Sequence, residues 1–426
     1  MEASTIALII LAAALILYIT EIFPIAVTSI AACLALAIFG VVPIGQAFRG
    51  FGSDMVYLMG GMIVVGNALF ETGVAQALGK KIVQLVGGSE KKFVIVLILI
   101  ATVPAAFLSN TAAAAMMLPL VASVVAASGG RIKKRNTFMI IGMAATVSGG
   151  FTVVGSPPQV MAQRFLVENG HEAMAFFELS WVGVPILALL IIYYLTIGQK
   201  IQKKAFDFEE PQDGALGSSG PGQEIDLSAI PPSKKYIIVG ILLFCIVGFI
   251  TELWTLGVVA MVGASLCVIT RCISLKRLYQ TMDWTTLVVI GGSIGLSIGM
   301  EDSGAGFVIA NAVVDALGDA ITPWLLCAVL VLISILLTNF MSNTASAALL
   351  IPIAGAMAIV LGFDVKPVLL AVVIGANISY ATPIATPPIT MTLVAGYRFK
   401  DYVRYGGLFT IFAYILVVLL FPVVFL

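Results

Sequence analysis

The residues best placed to do chemistry are two copies of one tripeptide, Ser109-Asn110-Thr111 and Ser342-Asn343-Thr344. Each copy offers two hydroxyls and a carboxamide. Residues 93–130, 321–361 and 367–397 contain no Asp, Glu, Lys, Arg or His, so an ion held there meets only neutral groups. A chain break at such a point frees helix-end amides, which attract anions. It also frees carbonyls, which together with side-chain oxygens suit a small cation such as sodium. A second paired element follows each triplet, Gly155-Ser156-Pro157-Pro158 and Ala385-Thr386-Pro387-Pro388. Proline lacks a donor and clashes with the preceding turn, so each pair is expected to interrupt its helix. Each half of the chain is thus expected to hold a clamp of one tripeptide facing one broken helix. Ser, Thr and Asn also serve helix packing, but duplication with proline pairs following in both halves favours a ligand role.

The elements that must position these groups are apolar helices. Of the 426 residues, 60% are hydrophobic and 10% charged, and the apolar runs approach or exceed the roughly 20 residues that cross a bilayer. The chain reads as an all-α polytopic membrane protein. Spans are expected near 5–20, 24–43, 55–78, 137–160 and 180–199, with a re-entrant hairpin at 93–130 whose tip is the first triplet. The second half repeats the plan at 236–251, 254–270, 284–306, hairpin 321–361, 367–395 and 405–426. Gly60-Gly61 and Glu71-Thr72-Gly73 recur as Gly291-Gly292 and Asp302-Ser303-Gly304, 231 positions later. These glycines, with Gly149 and Gly150, are read as helix-packing positions rather than ligands. Two repeats, 1–204 and 234–426, flank an acidic, Gly/Ser/Pro-rich linker at 205–233.

With that linker cytoplasmic, all of the 22 basic residues except Arg49, Arg164 and Lys366 fall inside. Both termini are then expected outside the cell membrane, and the two hairpins enter from opposite faces. The halves become inverted repeats, each of five spans plus a hairpin, which places a transporter's site at their interface near mid-membrane. The first apolar segment has no basic n-region and runs on into another span, so a cleaved signal peptide is not expected. Balanced charge offers nothing to nucleic acid. The five cysteines have no ligand spacing. Glu21, Glu71, Glu252, Glu301 and Asp302 lie near span ends, and His171 reads as a loop residue beside Glu172. No nucleophile–base set or phosphate loop is present, which excludes an enzyme.

The paired Ser-Asn-Thr triplets, each followed by Ser/Thr-Pro-Pro, resemble the divalent anion/sodium symporter family of the ion-transporter superfamily. The stretch Ala385-Thr386-Pro387-Pro388, Gly396-Tyr397 and Asp401-Tyr402 is similar to that family's C-terminal signature. The resemblance implies carriage of a di- or tricarboxylate such as succinate, malate or citrate, by sodium symport or anion exchange. It implies an elevator, in which a transport domain holding both hairpins and both broken helices slides against a dimeric scaffold. Carried over, Ser109, Asn110, Thr111, Ser156 and Pro157 form one substrate half-site, and Ser342, Asn343, Thr344, Thr386 and Pro387 the other. Sodium would be held by Ser109, Asn110 and Gly155, and by Thr338, Met341, Asn343 and Ala385. Ala105 stands where symmetry with Thr338 calls for a hydroxyl, which weakens the first cation site. Gln159 and Ile389 stand where many relatives carry Asn. A carrier of arsenite, sulfate or another anion, a sodium/proton antiporter of the same superfamily, and a channel are the alternatives.

Overall fold

The computed structural model describes the chain apart from residues 1, 21, 75–88, 108–109, 129–130, 207, 209–230, 252–253, 307, 309–320 and 384–385. Every regular element among the described residues is a helix. The first half runs α1 (Ala3–Thr20), α2 (Ile25–Ile38), the single turn α3 (Ile44–Ala47), a 3-10 turn at Arg49–Gly52, and α4 (Asp54–Glu71). It continues with α5 (Glu90–Phe107), α6 (Asn110–Ala127), α7 (Lys134–Gly149), α8 (Pro157–Glu168) and α9 (Ser180–Tyr193). A π-turn at Tyr194–Gly198 leads from α9 into α10 (Gln199–Ala205). The second half holds α11 (Pro232–Thr251), α12 (Leu256–Ile269), α13 (Leu275–Thr281), α14 (Trp284–Asp302), α15 (Pro323–Thr338) and α16 (Asn343–Leu361). It ends with α17 (Val365–Asn377), α18 (Pro387–Thr390), a 3-10 turn at Met391–Ala395, and α19 (Phe399–Val424).

Several helices are shorter than the apolar runs that contain them. The run 24–43 yields the 14 residues of α2, about 21 Å of helix. Gly40, in the left-handed region at φ 71°, turns the chain away just past its end. α12 also has 14 residues and starts where the Thr255 hydroxyl accepts from Val258 N. The proline pairs do not cut their helices in the middle. They sit at the first two positions of α8 and α18, where a missing N–H costs nothing. The breaks are the segments before them, 150–156 and, among the described residues, 378–383 with Thr386.

Tertiary packing is crosswise. The third long helix of each half lies on the second of the other, α4 on α12 and α14 on α2. A Cβ on Gly61 would stand 2.6 Å from the Ala260 backbone, and one on Gly292 would stand 2.8 Å from Ser29 Cβ. Residues 61 and 292 are separated by the same 231 positions as 29 and 260, so the two contacts are one contact made twice. Asp54 pins one end of this pair by accepting from Thr255 Oγ1 at 2.5 Å and Gly257 N at 3.0 Å. At the other, α13 docks on α4 through Arg277 Nε–Glu71 Oε1 at 2.7 Å and Asn67 Nδ2–Thr281 Oγ1 at 2.9 Å.

The helices that carry the motifs form a second crossed set. α5 packs on α7, and α15 on α17. The short helices after the proline pairs then reach across, α8 against α16 and α17, and α18 against α6 and α7. Close approach is allowed by Gly355, which lies on the Phe165 ring of α8, and by Gly142, whose Cβ would stand 2.7 Å from Pro388 O. Each short helix therefore rests on the hairpin of the opposite half. Cys33, Cys245, Cys267, Cys272 and Cys327 are all buried and free, in keeping with packing.

Candidate functional site

Asn110 opens α6 and is buried, 7% exposed. Its carboxamide lies so close over Gly149 that any Cβ there would overlap it. Gly149, a packing position by sequence, is therefore part of the site. Gly155 is equally constrained, because a Cβ would collide with Gly149 O. The arm of the Asn110 carboxamide that faces α7 is 3.0 Å from Gly155 O and 3.3 Å from Ala145 O. As an amide nitrogen this arm donates to both carbonyls. As an oxygen it would face two carbonyl acceptors and no donor, so the nitrogen orientation is the one the surroundings satisfy. The loop is braced from both sides. Gln159 Nε2 donates to Gly149 O at 2.9 Å, Ser148 Oγ to Thr102 Oγ1 at 3.1 Å, and Thr152 Oγ1 to Ala106 O.

The second half differs by one hydroxyl. Thr338, fully buried at the end of α15, lies 2.7 Å from Asn343 Oδ1 and 3.0 Å from Ala376 O. Ala376 is the counterpart of Ala145 at the 231-residue spacing. One hydroxyl carries one hydrogen, so it cannot satisfy both acceptors together. Here three oxygens converge, with a single proton among them. Ala105, where Thr338 has its counterpart, is also fully buried and brings no oxygen.

Ser342 caps α16, its hydroxyl accepting from Ala345 N at 3.1 Å. The N–H groups of Asn343 and Thr344 sit in the first turn and have no partner within the helix, so they can meet an anion. α8 and α18 cannot do so in the same way. Proline occupies their first two positions, and the next N–H groups, Gln159 and Ile389, already donate to Ser156 O and Thr386 O. The proline-led helix starts therefore offer no free first-turn amide at these positions. Those starts offer instead Ser156 and Thr386, held in matching extended conformations and not used as caps.

Met341, Asn343, Thr344, Ser156 and Thr386 are buried, while Thr111, Ser342 and Pro157 are half-buried and Pro387 is exposed. Ser109 and Ala385 lie outside the described residues. Four buried polar atoms near the motifs have no hydrogen-bond partner: Gln159 Oε1, Ser346 Oγ, Asn377 Oδ1 and Ser379 Oγ. Ser346, Asn377 and Ser379 among them carry no functional expectation from the sequence. Asn377 and Ser379 stand at the end of α17, where the uncharged stretch carries its few polar residues. Asn339 closes the same break by accepting from Ala381 N at 2.9 Å and donating to Ile378 O at 3.2 Å.

Comparison with known proteins follows the same lines. A family model described as "Citrate transporter" matches residues 15–363. A Haemophilus influenzae protein named "Uncharacterized transporter" is 28% identical over 394 residues, spanning 89% of this chain and 83% of that protein. The "Sodium-dependent dicarboxylate transporter SdcS" of Staphylococcus aureus is 23% identical over 421 residues, 89% of this chain and 78% of its own. Among solved structures, the YdaH transporter of Alcanivorax borkumensis aligns with a TM-score of 0.58 at 13% identity, over 92% of this chain and 87% of that one. That last likeness is one of fold.

Proposed function

The chain belongs to the citrate transporter family, as a multi-pass membrane transporter and not an enzyme, and from that premise we propose that it carries small di- and tricarboxylates together with sodium. The observation that carries this reading is the convergence of Thr338 Oγ1 on Asn343 Oδ1 at 2.7 Å and Ala376 O at 3.0 Å, with no charged side chain on α15, α16 or the later part of α17. One hydroxyl hydrogen cannot pair both acceptors at once, so one oxygen is left bare unless a cation lies among them. Sodium is the cation that needs no carboxylate partner here, and as co-transported cargo it supplies the positive charge a carboxylate lacks in this apolar setting. One carboxylate then meets the first-turn N–H groups of Asn343 and Thr344 with the Thr344 hydroxyl, and the other those of Asn110 and Thr111 with the Thr111 hydroxyl. Ser156 and Thr386 complete the two ends.

In this reading the halves are inverted repeats, 1–204 and 234–426. The crossed set α5–α9 with α15–α19 is the moving body, and α1–α4 with α11–α14 the stationary one. The likeness of Gly61–Ala260 to Gly292–Ser29 supports the repeat. The protein acts as a homodimer in the cell membrane, with the linker cytoplasmic and both termini outside. Uptake of labelled succinate, malate and citrate into proteoliposomes, with an inward sodium gradient and with none, tests the proposal. Sodium-stimulated uptake of at least one is expected. Absence of flux with either a sodium gradient or a trapped counter-substrate would falsify it. Counterflow that persists unchanged without sodium would instead identify an exchanger.

A further inference from the structure

Away from the motifs, a groove of about 690 Å³ opens between the α8–α9 loop with the start of α9 and the end of α11, within the roughly 300–1,000 Å³ of ligand pockets. Its walls are Phe176, Phe177, Trp181, Val184, Phe249 and Ile250. Trp181, Val184 and Ile250 are 71%, 52% and 56% exposed, so the groove opens on the surface of the chain. Its polar end is marked by Glu178 and Ser180. There Lys366 Nζ bridges Glu172 Oε1 at 2.8 Å and Glu178 Oε1 at 3.0 Å. Two carboxylates against one ammonium leave a net negative charge, and Glu172 is open to solvent with its side chain 82% exposed.

The groove wall is tied to the first-half site. Phe176 O accepts from Val153 N at 3.2 Å and Ser180 Oγ donates to Phe151 O at 2.7 Å. Both partners lie in the break before Ser156. Phe107, the last residue of α5 before the hairpin tip, packs its ring 6.3 Å from Phe176 and 6.2 Å from Phe177. Phe176 also stacks on Phe249 of the other half, with centroids 5.0 Å apart. One face of this aromatic wall lines the groove, and its other contacts hold the hairpin and the break.

We propose that the groove binds one acyl chain of a phospholipid with an ethanolamine headgroup, and that this lipid buttresses the first-half site. The acyl chain covers the apolar walls. The headgroup ammonium answers the excess carboxylate at Glu172, and the phosphate reaches Lys366. A glycerol headgroup brings the phosphate without an ammonium and leaves the acidic excess unanswered. The coupling to transport rests on the proposed carboxylate site; the binding does not.

The test reconstitutes the full chain in vesicles with rising fractions of brominated-acyl phosphatidylethanolamine or phosphatidylglycerol. Quenching at Trp181 is isolated as the difference between wild type and Trp181→Phe. Quenching by the ethanolamine lipid is expected at about a five-fold lower mole fraction, the effect of one charge contact at the membrane surface. Val184→Phe, which fills the groove from an exposed position, removes that preference. Raising the ethanolamine lipid also lowers the sodium concentration for half-maximal uptake in wild type but not in Val184→Phe. Equal quenching by the two lipids means non-selective surrounding lipid and overturns the proposal. No quenching of Trp181 by either lipid means that a second copy of the chain covers the groove, and likewise overturns it. A preference without any change in sodium dependence overturns the coupling. If wild type carries no carboxylate, the functional reading fails while the quenching result still decides the binding.

Discussion

Replacing Thr338 by Val removes one hydroxyl at almost constant volume, from a site with no solvent exposure. No cavity opens, so the effect isolates the oxygen. Two contacts are lost, to Asn343 Oδ1 at 2.7 Å and to Ala376 O at 3.0 Å. A buried acceptor left without a partner costs about 1–3 kcal/mol. Since one hydroxyl hydrogen serves the two acceptors alternately, the expected loss is about 2 kcal/mol, a single acceptor's worth. If the second half holds sodium, the same oxygen is also a ligand, and a loss of about 2 kcal/mol corresponds to roughly a 30-fold rise in the sodium concentration for half-saturation. The assay is thermal unfolding of the purified protein across a sodium series at constant ionic strength with potassium. Ligand stabilisation is then read as a midpoint shift. Thr338→Ser keeps the hydroxyl and should stay near wild type. A Thr338→Val protein with a lower unfolding temperature but an unshifted sodium midpoint would refute the reasoning, because the hydroxyl would then serve packing alone.

Further outcomes follow from the same contacts. Ala105→Ser supplies the first half with the oxygen it lacks beside Asn110, so the sodium midpoint should fall; a rise, or loss of fold, counts against a cation there. Gly155→Ala drives a Cβ into Gly149 O and should abolish sodium-stimulated uptake. Near-normal uptake by this variant would mean the break is not part of the site. Gly61→Ala and Gly292→Ala should each lower stability by about 1–3 kcal/mol, the usual cost of overpacking, measured by thermal unfolding. Markedly unequal costs would argue against a shared two-fold contact. The hydrogen bond from Lys366 holds the exposed Glu172 carboxyl below its usual range. Its contribution is complete at neutral pH and is lost as the pH falls through that lowered value. Glu172→Gln should therefore flatten the acid side of the stability profile, and an unchanged slope would show the pair to be inert.

Much of the architecture was legible because it depends on local chemistry. Composition alone demands apolar helices, and the helix ends fall where the residue types put them. α16 starts at the residue after Ser342, a capping hydroxyl, and Gly362 closes it at φ 69°. The proline pairs were legible as breaks, but not as helix starts. Distinguishing the two requires knowing which side of the pair remains helical, and proline is compatible with only one of them. Fully helical spans of 17–20 residues were overestimated for α2 and α12, since an apolar run can continue unchanged through the turn that ends a helix, as Phe39 does at 63% exposure.

The two Ser-Asn-Thr triplets, their uncharged surroundings and the missing hydroxyl at Ala105 are properties of the sequence by itself. So is the spacing that relates the halves, 231 residues at the paired glycines, 233 at the triplets and 230 at the proline pairs. The partners of those triplets were decided only by the tertiary structure. Ala145 and Ala376 contribute backbone carbonyls, which every residue possesses and no side chain advertises. Gly149 matters because Asn110 lies against it, and Gln159 because its amide reaches Gly149 O. That α8 rests on the second hairpin and α18 on the first is a matter of packing between segments some 200 residues apart. Local sequence chooses where a helix breaks; the fold chooses what faces the break.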